Sequence, residues 1–517
     1  MMSIRLGAAL SLVSSRCAPR IGVIALAGAS SLLAACSSDD PKPDVNAGET
    51  GGEGGEGGEG GEGGEGGEGG EGGGGGVIDC GTADLEQAPP VKKLCGRKVV
   101  PIDISSVDAE VALTGDPAGT SGTATAKVTM HFTMGPSDGS PYFDLRQNIQ
   151  TATLNGQDLD PARLAHLSLT GESDELFRII DTTLSACSEN VLVLTYEIET
   201  PSSQGAMPME FSLHSVKWHF GFTDLAPARY LEQWFPANLI YDRFAFTLDL
   251  DITGMVSPHT VVANGEVQEL DTSHWRIVYP PTFASLSPML FLTRSAQIDS
   301  YSTTIDVPSF GPLTLDLYND GPQIDFPAMA VEIAGYFTEF TQSIGPYVHG
   351  DRFTACFSCG SNSMEYDGAT STSVSALEHE VFHSWYGRGV KPATGLDGWI
   401  DEAWASYHDD GFPVAPLPAG IGEPLWFDNP WKRKTILAAY SQGAEVFAGL
   451  AALIGLEELR ALMKVFYEQH TLQMVTTDDL ERHLYCSTGQ EAVLDVFHRW
   501  VYALPDPVPT PSPDYCL

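Results

Sequence analysis

His379 and His383 stand four residues apart, with Glu380 directly after the first, in the run Leu377-Glu378-His379-Glu380-Val381-Phe382-His383. On an α-helix, positions i and i+4 share a face, so two imidazoles so spaced can address one cation, and Zn2+ suits such a nitrogen pair. Glu380 lies one residue round the helix, placed to take a proton from an attacking water without being a ligand itself. A catalytic zinc takes three protein ligands and leaves a fourth position open. Glu402 supplies the third after a gap of 18 residues, giving one Zn2+ per chain held by His379, His383 and Glu402.

Those side chains meet only if two helices pack together. The gap holds Gly387, Gly389, Pro392, Gly395 and Gly398, enough turn chemistry to end one helix and begin another. Asp397 is placed to cap the second helix, expected from about Trp399 to Asp410, before Gly411 and Pro413. Upstream, Pro322 to Tyr347 repeats apolar residues at helical spacing through Met329, Ile333, Phe337 and Phe340. Downstream, Lys432 to Ile454 reads as a long apolar helix closed by Gly455, and Leu456 to His470 as another. Thr476-x-x-Asp479 and Ser487-x-x-Gln490 have the form of capping boxes that start two more. Before all of these, from Val99 to Ser300, the pattern is that of strands: Thr123 to Phe132, Val191 to Ile198 and Arg243 to Ile252 alternate, with turns at Gly135-Pro136, Asn155-Gly156 and Asn264-Gly265. The expected fold is multidomain α and β, an all-β domain over 78–300 followed by a mostly helical domain over 301–505 and a Pro-rich tail over 506–517.

The run His383-Ser384-Trp385-Tyr386-Gly387, with Trp399-Ile400-Asp401-Glu402-Ala403-Trp404-Ala405-Ser406-Tyr407, resembles the M1 metallo-aminopeptidases. Their signature is H-E-x-x-H, 18 residues, then Glu within a W-x-N-E-G-F-A-S-Y-like segment. Asp401 stands where the family has Asn, and Ala403-Trp404 where it has Gly-Phe. The resemblance implies a thermolysin-like catalytic domain behind an N-terminal β saddle. It also extends to Tyr440-Ser441-Gln442-Gly443-Ala444-Glu445-Val446, similar to the family's Y-E-K-G-A-E-V, and gives the Tyr440 hydroxyl the role of steadying the oxyanion. Asn362-Ser363-Met364-Glu365-Tyr366 occupies the place of the family's G-A-M-E-N, although only Met364 and Glu365 agree and just 13 residues separate Glu365 from His379. There the resemblance implies an edge strand that pairs with substrate and a Glu365 that holds the free α-ammonium. The segment from Arg229 through Trp234-Phe235-Pro236 to Phe244 and Asn264 resembles the family's saddle, whose edge closes one side of the cleft, with Ala237 where a Cys is common. The loop Gly387 to Ala393 is similar to the M61 glycyl aminopeptidases, but the spacing to Glu402 follows M1. The likeness ends soon after Trp500, so the expectation is a site without a large helical cap, open to larger peptides.

The chain begins with Arg5, Arg16 and Arg20 ahead of an apolar run from Ile21 to Ala35, too short to span a bilayer as a permanent helix, and this reads as a signal peptide over 1–36. Leu33-Ala34-Ala35-Cys36 resembles the bacterial lipobox, which implies acylation of Cys36 and attachment to membrane by that lipid alone. Ser37 in place of Asp implies an outer-membrane lipoprotein of the cell envelope of a Gram-negative bacterium. Residues 37–77, with a Gly-Gly-Glu repeat from Gly51 to Glu71, bury almost nothing and repel themselves, so they read as an extended tether. The net charge is −41, and residues 78–517 alone carry −34, which argues against nucleic-acid partners, fits solubility outside the cell and favours cationic peptides over anionic ones; the chain is expected to be a monomer.

Seven cysteines remain beyond Cys17 and Cys36. In an oxidising envelope, proximity suggests Cys80–Cys95, Cys356–Cys359 and Cys486–Cys516, with Cys187 left over. A second zinc at Cys356 and Cys359 would need two more soft ligands, and no second C-x-x-C exists. The function expected is that of a zinc aminopeptidase. A metallopeptidase that does not use a free amino end, and a surface binding lipoprotein without turnover, stand as the other two readings.

Overall fold

The computed structural model describes residues 80–516 apart from 82, 117, 170–175, 201–207, 227–228, 281, 283 and 361. The leader with Cys36 and the tether lie outside the described residues.

The strand-rich half is built on a long antiparallel pair, Ile102–Gly115 with Gly122–Met134, at the centre of an eight-stranded sheet. Both strands alternate apolar and polar residues, which puts one face inward at period two. Ile102 and Ile104 start the buried row, the register then slips between Ile104 and Ser106, and Val107, Ala109, Val111 and Leu113 continue it, so one bulge reconciles the sequence pattern with the sheet. Ala245–Thr253 adds parallel to the first strand, and Glu189–Glu197 adds antiparallel to the second. Trp218, Trp234, Phe220 and Phe235 pack edge-on or stacked in the core beneath, with Trp234 Nε1 donating to the Phe220 carbonyl at 2.8 Å. Asn155 and Gly156, both at positive φ, close the hairpin between Ile149–Leu154 and Gln157–Leu159 as the sequence predicts. Asn264-Gly265 does not make a hairpin. The strands on either side of it, His259–Ala263 and Glu266–Asp271, belong to different sheets, and the Asn264 amide instead bonds Ser287 O, Met289 N and Asp367 O.

A hairpin, Asp299–Val307 with Gly311–Asn319, opens a five-stranded mixed sheet completed by Arg352–Phe357, Ala369–Thr372 and, at its edge, Met364–Tyr366. Helix α1, Phe326–Ser343, is capped by the Asp325 side chain and buries Met329, Ile333, Phe337 and Phe340. Phe337 and Phe340 meet Trp385 at centroid distances of 5.4 and 5.3 Å, and Phe340 meets Phe382 at 5.2 Å, so α1 braces the short helix α2, Leu377–Phe382, from behind. Helix α3 is Trp399–Asp409, and α4 Ala444–Ile454, α5 Leu456–His470, α6 Thr477–Thr488 and α7 Glu491–Val496 follow.

Four local expectations change. The helix expected from Lys432 begins only at about Ala438, with a π turn over Ala439–Gly443 ahead of α4, because the preceding residues are claimed elsewhere: Arg433 by Asp144 and Glu232, the Thr435 amide by the Asp224 carbonyl. Asp397 does not cap α3, since its carboxylate takes the Thr394 amide and hydroxyl and the Thr477 amide and hydroxyl, tying the loop before α3 to the start of α6. Thr476 and Asp479 do form the capping box of α6, but Ser487 lies inside that helix, which Gly489 ends in the left-handed region. Cys356–Cys359 and Cys486–Cys516 pair as expected, whereas Cys80 pairs with Cys187, 107 residues away, because the turn before Glu189–Glu197 carries Cys187 back beside the start of the described chain. Among the described residues no helix is long and apolar enough to cross a membrane.

Candidate metal centre

Helix α2 follows a 3-10 turn, Val374–Ala376, capped by Ser373, and ends at His383, whose amide bonds the His379 carbonyl. The two histidines therefore point from adjacent turns toward α3. Their Nε2 atoms are 3.0 Å apart, and Glu402 Oε2 lies 3.4 Å from the first and 3.5 Å from the second. Three donors around a tetrahedral Zn2+ at about 2.0–2.1 Å stand about 3.3 Å from one another. The observed triangle matches that size, and Glu402 Oε2, though buried, has no hydrogen-bond partner. These residues fit the ion.

The other ring nitrogens are fixed. His379 Nδ1 pairs with Asp409 Oδ2 at 2.6 Å, and His383 Nδ1 faces the Tyr386 carbonyl at 3.1 Å, which leaves both Nε2 atoms for a ligand role. Burial alone would lower the His379 pKa, but the bond to Asp409 and the nearby Glu402 carboxylate lift it to about 9. His383 is raised too, burial being overcome by Glu365 and Glu402. Burial works against Glu402 as well, yet His383 and then His379 hold its carboxyl well below the usual range. A metal ion bound at both Nε2 atoms requires them unprotonated, so its binding is coupled to proton release.

Glu380 is buried, its Oε2 has no partner, and burial together with Glu365 pushes its pKa up to about 8. Tyr440 sits on the π turn with its ring 6.4 Å from that of His379, and burial followed by Glu402 pushes its hydroxyl far up. Glu365 lies on the edge strand, where Met364 and Tyr366 on the opposite face join the core of the strand-rich half. Its carboxylate is held by Arg388, with Nη2 to Oε1 at 2.8 Å. Gly387, at φ +108°, cannot be replaced cheaply, because a Cβ there would stand 2.7 Å from Asp401 Oδ2 and 3.3 Å from His383 Nδ1.

The structure thus brings His379, His383, Glu402, Glu380, Tyr440 and Glu365 to one place. Sequence reasoning missed three neighbours. Asp409 lies seven residues after Glu402 on the same face of α3, a spacing that was there to be seen. Arg388 gave no signal beyond its loop. Asp224, from a loop of the strand-rich half, has its carboxyl raised by burial and by Glu402, Glu365 and Asp401, and only the fold reveals its place. A second group, Glu365, His383 and Asp401, also has ligand atoms within 4.8 Å of one another, but it shares His383 with the first.

No family model and no curated protein matches the sequence. Solved structures do, and the fold is that of M1 zinc metallopeptidases. The M1 zinc metallopeptidase of Deinococcus radiodurans superposes with a TM-score of 0.54 at 15% identity, covering 80% of this chain and 96% of that one. A mutant of that enzyme bound to a Tyr-Ser-Ala substrate gives a TM-score of 0.55 at 14% identity over 80% and 96%. Aminopeptidase A of Legionella pneumophila, in complex with aspartic acid, gives 0.57 at 13% identity over 80% of this chain and 51% of that one.

Proposed function

We propose that this chain is a zinc-dependent peptide hydrolase that removes residues from the amino ends of peptides at the cell envelope. The observation that carries the reading is the triangle of His379 Nε2, His383 Nε2 and Glu402 Oε2, sized for one Zn2+ and buried with an unpartnered oxygen. Bound there, Zn2+ would supply Lewis acidity to the scissile carbonyl and to the attacking water. The chain does the rest. Glu380, buried with an unpartnered oxygen, takes the proton from water and hands it to the leaving amine. Tyr440, kept protonated, donates to the oxyanion as it forms. The edge strand Met364–Tyr366 offers its backbone to an extended peptide.

In the same reading the helical half is a thermolysin-like peptidase domain, the strand-rich half is a saddle closing the cleft, and the protein is a monomer moored through acylated Cys36, without nucleic-acid partners. The net charge of −41 supports the last point. The test is zinc content and turnover together. Purified chain is expected to hold about one zinc, to release product from alanyl-alanyl-alanine, to lose both on chelation and recover both on zinc addition. Full activity in Glu380→Gln, or turnover indifferent to chelation, would sink the reading.

A further inference from the structure

Arg388 is 2% exposed, and its bonds tie the end of the histidine helix to the edge strand. Its amide donates to the His383 carbonyl, Nη1 to the Gly387 carbonyl, Nε and Nη2 to the Glu365 carbonyl, and Nη2 to Glu365 Oε1. The guanidinium is a fixed bracket between the metal helix and the edge strand. In the turn just after that strand the pattern repeats, with Asp367, also buried, paired to the buried Lys391 of the same loop as Arg388. Both acids of the edge segment are therefore matched by cations that cannot leave without opening the core.

An α-ammonium arriving at Glu365 would meet a carboxylate already neutralised, so its charge adds little attraction, and a blocked or continuing amino end loses little by comparison. Resting on the hydrolase reading above, we propose that Arg388 is a specificity-determining residue: by occupying Glu365 it lets the site accept peptides whose amino end is blocked or continues past the edge strand, as well as free ones.

The experiment compares alanyl-alanyl-alanine with its N-acetylated form in two ways, as kcat/KM on the zinc-loaded wild-type chain and as Kd by calorimetry on zinc-loaded Glu380→Gln. The free and acetylated peptides are expected to agree within about tenfold in both measurements, and Arg388→Gln is expected to widen the ratio in favour of the free peptide by about tenfold or more, the worth of one charge-assisted hydrogen bond. Glu365→Gln is expected to shift the two peptides by the same factor. Should Arg388→Gln fail to fold, as judged by zinc content and melting, Glu365→Gln and the Kd pair decide. A preference for the free peptide beyond about a hundredfold in the wild type, collapsed by Glu365→Gln, overturns the proposal while leaving the hydrolase reading intact. Turnover of neither peptide sinks that reading instead, and the Kd ratio on Glu380→Gln still decides the role of Arg388.

Discussion

Among the described residues, two buried ionic clusters, around Asp144 and around Glu402, differ in how their charges are met. In the first, Asp144 accepts from Arg146 Nε and Arg433 Nη1, each at 2.7 Å, with Glu232 beside Arg433 at 3.3 Å and Arg433 stacked 4.0 Å above the Phe177 ring. Burial would raise the Asp144 pKa, but Arg146 and then Arg433 hold it far below the usual range. In the second, acids outnumber their cations: Glu380 and Glu402 each keep an oxygen without a partner, and Asp401 is pushed up to about 7 by burial and by Glu402. The first is matched in charge, two guanidiniums against two carboxylates, although Arg433 Nε and Nη2 keep no hydrogen-bond partner. The second is short of positive charge, which is what the proposed Zn2+ would supply.

That contrast predicts which property breaks. His383→Ala should abolish zinc binding and lower turnover by about 10^4 or more while the chain still melts cooperatively, whereas Asp144→Asn should leave zinc content per folded molecule intact and cost about 3–5 kcal/mol of stability. Metal analysis beside denaturant titration of both variants checks this. Equal losses of stability would erase the distinction. Within the second cluster, Tyr440→Phe should keep the metal and lower kcat by about 10^2–10^3, because only the oxyanion donor is lost.

Asp409→Asn sharpens the comparison further. Asp409 is matched to His379, and its carboxyl is held down at about 2 by that bond against the effect of burial, yet it serves the unmatched cluster by fixing the imidazole tautomer. The expected loss is about 10–100-fold in zinc affinity, measured by competition with a chelating dye, with kcat at saturating zinc nearly unchanged. A fall in kcat alone would mean that Asp409 acts on the reaction instead.

What the sequence disclosed divides along the same line. The meeting of His379, His383 and Glu402 was legible because helix geometry converts a spacing of four into one face and a Gly-rich gap into a return. The strands were legible through alternation, apart from the bulge at Ser105, where one extra residue shifts the buried row. Asp224, Arg388 and the Cys80–Cys187 pair were not legible, since each acts across a long separation that only packing defines. The π turn at Tyr440 was hidden for another reason: nothing in a run of good helix formers says that the Arg433 and Thr435 contacts will hold the preceding residues out of the helix.

The smallest expected effect tests both clusters with one variable. A carboxyl whose folded pKa is raised destabilises the fold once it ionises, so in the metal-free chain Glu380, raised from 4.5 to about 8, leaves stability intact below its unfolded value and removes it as pH rises between them. Asp144 runs the other way: its folded pKa is depressed, so its contribution is complete above the unfolded value of 3.8 and fades as pH falls below it. Metal-free Glu380→Gln should therefore gain stability over the wild type as pH rises from about 5 to 8, while both lose stability together in acid. Zinc should close the gap between them, because the ion supplies the missing positive charge, and its own affinity should climb with pH as His379, at about 9, gives up its proton. Identical urea midpoints for the two metal-free chains across that range would mean that the Glu380 carboxyl is already matched, and the difference between the clusters would be one of geometry rather than of charge.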